Sequence, residues 1–416
     1  MSYSNGYRSV FDLKKVQTEY DGSEARKTAT VFVISLGIMA IFADFTYESA
    51  WSILGPWLSL LGLSATAISI VSGAGALIGY GFRIFSGKLA DSSKRLWPIA
   101  IFGYTVQMIA VPLMALAGNW GVAVWLVVQE RFGKAIRNPP RDMMLSHAGR
   151  KIGYGWAFGL HEALDQLGAV LGPLAVSAIL VLEHANVTPL LRDYRSAFAL
   201  LTIPAIITLG ILAYNRKIYP HPERFDATQV DLKPQGLPSV FWLYLAGAVL
   251  VGIGIGGFPL ISVHLLKSHT VSGVWIPIFY AIAMGLGGGG SMMFGRAMDR
   301  IGMKIIAPLI LSSALGIPLV WFGNFDLALL GIALWGLGTG VQESLIPAVL
   351  SMMVPISKRA SAIGILTAGY GISLFTGGVV LGILYEVGIR ELVIFGMVAE
   401  LIAIPIFLIV SKRINI

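Results

Sequence analysis

Charged side chains that can bind an ion or carry a proton are concentrated in one otherwise apolar part of the chain. Residues 129–142 read QERFGKAIRNPPRD, whereas charged residues make up only 12% of the whole sequence. The charged residues are Glu130, Arg131, Lys134, Arg137, Arg141 and Asp142. On a helix with about 100° per residue, those up to Arg141 share one face, opposite Phe132, Ala135 and Ile136. At membrane depth such a stripe must face a protein interior or a water-filled cavity, where its cations can hold an anionic or zwitterionic molecule.

The position of each charge along this helix predicts its depth in the membrane. We expect Arg131 and Lys134 to lie deepest, and Pro139-Pro140 to end the helix near the cytoplasm. Arg141 and Asp142 would then be interfacial, and Arg137 is close enough to the interface to snorkel.

Acidic partners for these cations occur in two neighbouring apolar stretches. FADFTYESAW places Asp44 and Glu48 one helical turn apart, with Tyr47 and Trp51 on the same face. FGLHEALDQLG places His161 and Asp165 on one face, and Glu162 follows His161 directly; His161 is equally compatible with a structural hydrogen bond and with a proton relay.

Counting the deep groups leaves two carboxylates without a cation. The carboxylates are Asp44, Glu48, Glu130, Glu162 and Asp165, and the cations are Arg131, Lys134 and Arg137. Unbalanced negative charge in a low-dielectric site is relieved when a carboxylate binds a proton. We therefore predict proton coupling by these five carboxylates and His161. Arg131 would be the fixed central cation, with Asp44, Glu48, Glu130 and Asp165 within reach.

The predicted substrate-binding residues include side chains from both ends of the sequence. They are Arg131, Lys134, Arg137, Tyr47 and Trp51, together with Gln342, Glu343 and Tyr370.

The composition around these residues is that of a multi-pass membrane protein. The chain of 416 residues is 56% hydrophobic, and apolar stretches of about 20 residues, the length that spans a bilayer, recur throughout. We predict twelve spans, at 28–55, 66–86, 97–117, 120–140, 153–182, 195–214, 239–262, 271–294, 305–323, 326–354, 360–385 and 390–411.

Positive charge predicts the orientation. Most of the 30 lysines and arginines fall in the termini and in the loops on the same side, so both termini should be cytoplasmic. The net charge of +8 belongs to these loops and is no sign of nucleic-acid binding. The chain has no cysteine, which excludes disulfides and thiol catalysis.

An internal repeat divides the chain into two halves. GKLADSSKR follows the second span and GRAMDRIGMK follows the eighth, so that Asp91 and Asp299 are separated by half the chain length. The predicted units are an N-terminal tail (1–27), an N-terminal six-helix bundle (28–214), a cytoplasmic linker (215–238), a C-terminal six-helix bundle (239–411) and a C-terminal tail (412–416).

These loops resemble the signature of the major facilitator superfamily, which carries G-x-L-A-D-[RK]-x-G-[RK]-[RK] after its second helix. Ser92 and Lys94 depart from that pattern. The resemblance implies an all-α membrane fold of twelve helices in two pseudo-symmetric bundles. It also implies a conformational latch on the cytoplasmic side, formed here by Gly87, Asp91, Arg95, Gly295, Asp299 and Arg300.

Three further patterns concern helix packing and family resemblance. LDQLGAVLGPLA, with Gly168, Gly172 and Pro173, resembles the family's antiporter motif in its fifth helix, and its two glycines predict a close helix approach. The charged stretch resembles D-R-x-G-K-x-I-R-x-x-P-R-D of a prokaryotic subgroup. In the eighth span, GLGGGG predicts a flexible helix.

The sequence thus predicts a secondary active transporter in the inner membrane of a prokaryotic cell. Proton-coupled antiport that exports a small organic molecule is our preferred interpretation, ahead of organic-anion uptake by symport and of divalent metal-ion transport. An intramembrane zinc hydrolase using His161 and Asp165 is the alternative of another class. We expect protons, a small-molecule substrate and the lipid bilayer as partners, no cofactor, no resident metal, no nucleic acid, and a monomer.

Overall fold

Helices make up the described part of the protein, and no strand occurs in it. The computed structural model describes residues 7–93, 95–183, 189–222, 237–340, 342, 346–354 and 359–414. The first half comprises α1 (Tyr7–Leu60), α2 (Ala65–Ser93), α3 (Leu96–Leu113), α4 (Trp120–Ile152), α5 (Tyr154–Leu182), α6 (Leu191–Leu200) and α7 (Thr202–Ile218). The second half comprises α8 (Ser239–Gly254), α9 (Phe258–Lys267), α10 (Trp275–Ile301), α11 (Ile306–Phe322), α12 (Phe325–Gly340), α13 (Ile346–Met353), α14 (Arg359–Val387) and α15 (Ile389–Ile414).

The fifteen described helices correspond to the predicted twelve spans. The pairs α6 and α7, α8 and α9, and α12 and α13 each count as one span. Nine segments in the described ranges are individually long and apolar enough to cross a membrane. The charge-bearing helix α4 is not among these nine segments. The helix α1 already begins at Tyr7, inside the segment that the sequence predicts as a tail. Residues 223–236 of the predicted linker lie outside the described residues, so its boundaries stay a prediction.

Breaks occur in two spans that the sequence predicts as continuous helices. Between α8 and α9, Gly256 has a φ of +67°, a conformation that residues with a Cβ rarely adopt, and Pro259 starts the next helix. Between α6 and α7 the break at Leu201 precedes Pro204, which cannot donate a backbone hydrogen bond. Between α12 and α13, residues 341 and 343–345 lie outside the described residues, and Gln342 is helical.

The helix α4 does not end at Pro139-Pro140, contrary to the sequence prediction. It continues to Ile152 with both prolines inside it. Pro139 has no N–H group to donate to the carbonyl of Ala135, one turn earlier. The hydroxyl of Ser86 on α2 donates to that carbonyl instead, at 2.8 Å. The neighbouring helix thus satisfies the acceptor that the proline leaves free, and Arg141 stays on the same helix as Arg131.

The two halves repeat one packing solution at equivalent glycines. On α5, a Cβ added at Gly172 would lie 2.5 Å from the Phe45 carbonyl oxygen of α1. On α14, a Cβ added at Gly377 would lie 2.5 Å from the Ile253 carbonyl oxygen of α8. Gly168 makes a similar contact with α1, so the close approach predicted from the fifth-helix glycines is present.

The two halves meet mainly through three pairs of helices, α2 with α14, α5 with α10, and α1 with α9. Hydrogen bonds between them lie toward the end far from the chain termini. Ser69 donates to the Gly378 carbonyl at 2.7 Å, and Ser177 donates to the Val274 carbonyl at 2.9 Å. Nearer the termini, a Cβ added at Gly159 would meet no atom within 4 Å.

The glycine run of the eighth span lies inside α10, and its members face different neighbours. A Cβ on Gly287 would press on the Gly336 carbonyl of α12 at 2.8 Å, within the same half. A Cβ on Gly288 would contact the Gln166 side chain of α5, in the other half, and Gly289 faces open space.

We therefore expect alanine at these three positions to give three different results. Gly287→Ala should lower the melting temperature because a backbone carbonyl cannot move aside. Gly288→Ala should slow transport at nearly unchanged stability, because it obstructs the contact between the halves. Gly289→Ala, the matched control, should leave turnover unchanged. Thermal unfolding and transport by reconstituted protein measure both properties, and equal turnover of the Gly288 and Gly289 variants would show that the run has no part in the motion.

Candidate functional site

A cavity of about 490 Å³ lies between the two halves and contains the charged stripe of α4. Its charged lining residues are Asp44, Glu48, Arg83, Arg131, Lys134, Arg137, Arg141, Glu162 and Asp165. All of these lie in the first half. Among the described residues of the second half, the lining includes neutral polar and aromatic side chains, namely Tyr280, Trp335, Thr339, Gln342, Thr367 and Tyr370. The polar stripe faces the cavity, as the helical periodicity predicts.

Arg137 is the central cation of the site, a place that the sequence analysis assigns to Arg131. Arg137 is completely buried and does not snorkel. Its guanidinium donates to Gln107 at 2.5 Å, to the Tyr104 hydroxyl at 3.0 Å and to Asp44 at 3.5 Å. The Gln107 amide in turn donates to Glu130 at 2.8 Å. This network connects α1, α3 and α4.

Arg131 occupies a more accessible position at the cavity wall. Its Nε lies 2.7 Å from Glu130 Oε2, although the angle is not that of a hydrogen bond. Its guanidinium stacks on the Trp51 ring at 3.8 Å. The structure records no ion pair of Arg131 with Asp44 or Asp165, so only part of the predicted network exists around it.

Glu48 connects the charged half to the second half. It accepts a hydrogen bond from the Tyr280 hydroxyl of α10 and lies 3.9 Å from Lys134 Nζ. Lys134 sits 3.7 Å from the centroid of the Tyr47 ring. The Tyr47 hydroxyl donates to Asp44 at 2.9 Å. A change of charge at Glu48 can therefore affect the contact between the halves.

Asp165 is incompletely partnered, and its nearest cation is one that the sequence analysis places at the interface. Arg141 Nη1 lies 4.0 Å from Asp165 Oδ2 and its Nη2 lies 2.8 Å from Asp142. Asp165 Oδ1 is buried and has no hydrogen-bond partner. Arg141 belongs to the site because α4 continues past its prolines.

The other two predicted groups of α5 have different surroundings. His161 is buried outside the cavity lining, and its Nε2 has no partner. Glu162 is exposed at the cavity wall and accepts a hydrogen bond from Gln166 at 3.1 Å. The prediction that Glu162 is a deep group is therefore wrong.

The surplus of two negative charges that the sequence predicts is also absent from the site. The deep carboxylates are Asp44, Glu48, Glu130 and Asp165, and the cations near them are Arg83, Arg131, Lys134, Arg137 and Arg141. The tertiary structure adds Arg83 from α2 and Arg141 from α4. Any proton taken up must therefore bind to a particular under-partnered carboxylate rather than relieve a net excess.

Only two of the three predicted site residues of the second half are among the described residues. Gln342 is buried at the cavity wall, and its amide has no partner. Tyr370 lines the cavity and packs edge-on against Tyr80 at 5.4 Å between ring centroids. Glu343 lies outside the described residues.

The predicted latch remains a prediction. Gly87 lies in α2, Arg95 directly precedes α3, and Arg300 lies in the last turn of α10. The side chains of Asp91 and Asp299, and the surroundings of Gly295, lie outside the described residues.

Sequence reasoning missed five participants, namely Arg83, Tyr104, Gln107, Arg141 and Tyr280. Gln107 and the two tyrosines are neutral residues in apolar spans, and a search for charges passes over them. The position of Arg83 inside an apolar span was the available signal for that residue.

Comparisons with known proteins identify the fold. Residues 34–325 match the family model described as Major Facilitator Superfamily. An uncharacterized protein of Mycobacterium tuberculosis is 36% identical over 379 residues, which cover 90% of this chain and 91% of that protein. An uncharacterized MFS-type transporter of Methanocaldococcus jannaschii is 23% identical over 387 residues, covering 89% and 92%. The crystal structure of the nucleoside transporter NupG shares the fold, with a TM-score of 0.67, 15% identity and coverage of 92% and 98%.

Proposed function

The chain belongs to the major facilitator superfamily of secondary transporters, and from this premise we propose that it exports a small organic anion or zwitterion in exchange for protons. The proposal is supported chiefly by one observation. A single cavity between the two halves contains both accessible cations and an under-partnered carboxylate.

Arg131 and Lys134 supply the positive charge for an anionic group. Both line the cavity, and both lie against aromatic rings, which cover the faces of the guanidinium and support the ammonium group. Arg137 is not available to a ligand in the same way, because its donors are already directed at Gln107, Tyr104 and Asp44. Its role in the proposal is to hold the carboxylates in place.

The carboxylates of α1 and α5 supply the proton sites. Asp165 has one buried oxygen without a partner, and a proton there would provide the missing hydrogen bond. Glu48 accepts from Tyr280 across the two halves, so protonation of Glu48 would alter that contact. The cationic group of a zwitterion would compete with the proton for these carboxylates, which is the coupling that an antiporter requires. The fifth-helix pattern, with Gly168, Gly172 and Pro173, favours the same direction.

The orientation in the membrane follows from the loop charges. The excess of lysine and arginine supports a cytoplasmic position for both termini. We propose that the cavity opens to the cytoplasm in that orientation, because hydrogen bonds of Ser69 and Ser177 join the halves at the opposite end, and that an exported molecule enters there. We take 28–214 and 239–411 as the two units that move in alternating access, in a monomer in the inner membrane.

Neutralising the carboxylates one at a time tests the proton coupling. Asp44→Asn, Glu48→Gln, Glu130→Gln and Asp165→Asn are compared in liposomes under an imposed pH gradient. The transported compound is the tightest ligand from a thermal-shift screen of metabolites, drugs and metals at two pH values. We expect Asp165→Asn to bind this ligand but to lose the acceleration by the gradient. Asp326→Asn, an exposed residue at the start of α12, is the matched control.

If all four variants retain gradient-driven transport, the carboxylates are structural and the coupling proposal is wrong. If substrate and protons move in the same direction, so that the pH gradient opposite to the one expected for exchange accelerates transport, the protein takes up its substrate by symport instead of exporting it.

A further inference from the structure

We infer that the substrate is a bipolar molecule whose anionic group binds between α2 and α4 and whose cationic group binds α5. The inference rests on the proposed transport function and specifies the substrate class of the same cavity. Its evidence is the set of buried polar atoms around the cavity that the protein itself leaves without hydrogen bonds.

The unpartnered donors with a full charge lie on one side of the cavity. Arg83 Nε of α2 is a buried N–H group without a hydrogen-bond partner, Arg131 Nε of α4 lies 2.7 Å from Glu130 without the geometry of a hydrogen bond, and both side chains line the cavity. Each guanidinium lies near an aromatic ring, with Arg83 4.9 Å from the centroid of Tyr80 and Arg131 3.8 Å from that of Trp51. Rings that cover the faces leave the in-plane N–H edges for a carboxylate or phosphate.

Two of the unpartnered acceptors in the cavity lining lie on α5, whereas Asn138 Oδ1 lies on α4 and Gln342 Oε1 lies in the second half. Asp165 Oδ1 and Gln166 Oε1 are buried, belong to adjacent residues that line the cavity, and accept no hydrogen bond. The amide nitrogen of Gln166 is engaged with Glu162, which leaves its oxygen as the free end. An ammonium group has three N–H donors and no acceptor, so these two oxygens match it.

A ligand with only one charge would satisfy only half of these atoms. A simple anion would leave the Asp165 and Gln166 oxygens without donors, and a simple amine would leave Arg83 Nε without an acceptor and Arg131 with its Glu130 ion pair alone. Because buried polar groups left unpaired oppose binding, the site should prefer a zwitterion over its singly charged analogues by about tenfold or more.

Gln342 supplies the contribution of the second half. Its amide oxygen and nitrogen are both buried without a partner, at the cavity wall that carries no charge among the described residues. An amide both donates and accepts, so Gln342 suits the polar but uncharged middle of the substrate. Binding would then connect both halves through one molecule.

The same geometry specifies the exchange. The ammonium group of the substrate and a proton would both bind at Asp165, and each would displace the other. In this arrangement the ammonium group of the substrate competes with the proton at Asp165. The anionic group of the substrate only positions the molecule at Arg83 and Arg131.

The experiment uses α-amino acids and ω-amino acids of increasing chain length as probes. Each is paired with the carboxylic acid that lacks the amine and with the amine that lacks the carboxylate, and binding to the purified full chain is measured by thermal shift and calorimetry. Wild type should bind zwitterions about tenfold or more tighter than either analogue. Asp165→Asn should remove the preference for the zwitterion over the carboxylic acid. Arg83→Gln should remove the preference for the zwitterion over the amine. Asp326→Asn should retain both.

Three results would overturn the inference. They are tightest binding of simple anions or amines, zwitterion binding that neither variant changes, and the absence of any zwitterionic ligand among the probes. Failure of proton coupling is distinguishable from these results. Zwitterion selectivity with transport that ignores a pH gradient would contradict the proposed antiport and leave the substrate class intact.

Discussion

Arg137→Ala should abolish transport and leave little folded protein. Arg137 is the only arginine among the largest fully buried side chains of the described residues, and three helices meet at its guanidinium. Removing it would leave Asp44 as an uncompensated buried charge and Gln107 with a free amide oxygen. Breaking a buried ion pair in this way costs about 3–5 kcal/mol. Since a whole domain is stable by only about 5–15 kcal/mol, the loss should be visible as a large fall in melting temperature and in the yield of monodisperse protein.

Arg131→Ala is the matched comparison one and a half turns earlier on α4. Arg131 lies at the cavity wall, and water in the cavity can solvate the remaining Glu130 more readily. We expect this variant to fold and to lose substrate binding. Adding Asp44→Asn to Arg137→Ala should recover part of the stability, because it removes the stranded charge, without recovering transport. If the Arg137→Ala variant is stable and the Arg131→Ala variant unfolds, Arg131 is the central cation of the site and our assignment of Arg137 is wrong.

Gly168→Ala and Gly172→Ala should each disrupt the contact between α1 and α5. The added methyl group would overlap the carbonyl oxygen of Ile41 in the first variant and of Phe45 in the second. Backbone atoms cannot rotate away, so the helices must separate, at a cost of about 1–3 kcal/mol for each substitution. The displaced helix α1 carries Asp44 and Glu48. The transport rate should therefore fall more strongly than the loss of folded protein alone would explain.

Gly159→Ala on the same helix is the control with the opposite expected sign. Its Cβ would meet no atom within 4 Å, and alanine in place of glycine favours a helix by about 0.5–1 kcal/mol. Melting temperature and transport rate of the three variants, measured side by side, separate packing from helix propensity. Equal melting temperatures of the three variants would show that α1 can move away from α5 without loss of stability.

The fold class and the charged stretch of α4 could be predicted from the sequence alone. A run of apolar residues long enough to span a bilayer is a local property, and so are the loop charges and the repeat around Asp91 and Asp299. The polar stripe of α4 was likewise readable, because side chains spaced by the helical period share a face wherever the helix lies. These observations led to twelve passes and to a charged cavity.

The pairing of the charges could not be predicted from the sequence, because it depends on how the helices pack. The partners of Arg137 come from two other helices, α1 and α3, and the order of residues along one helix does not reveal how far each residue lies from the next helix. The misplacement of Arg141 has the same origin. A proline usually ends a helix because one carbonyl loses its donor, but here Ser86 of α2 supplies that donor to Ala135. Whether the donor is present depends on the packing of another helix, which no local pattern records.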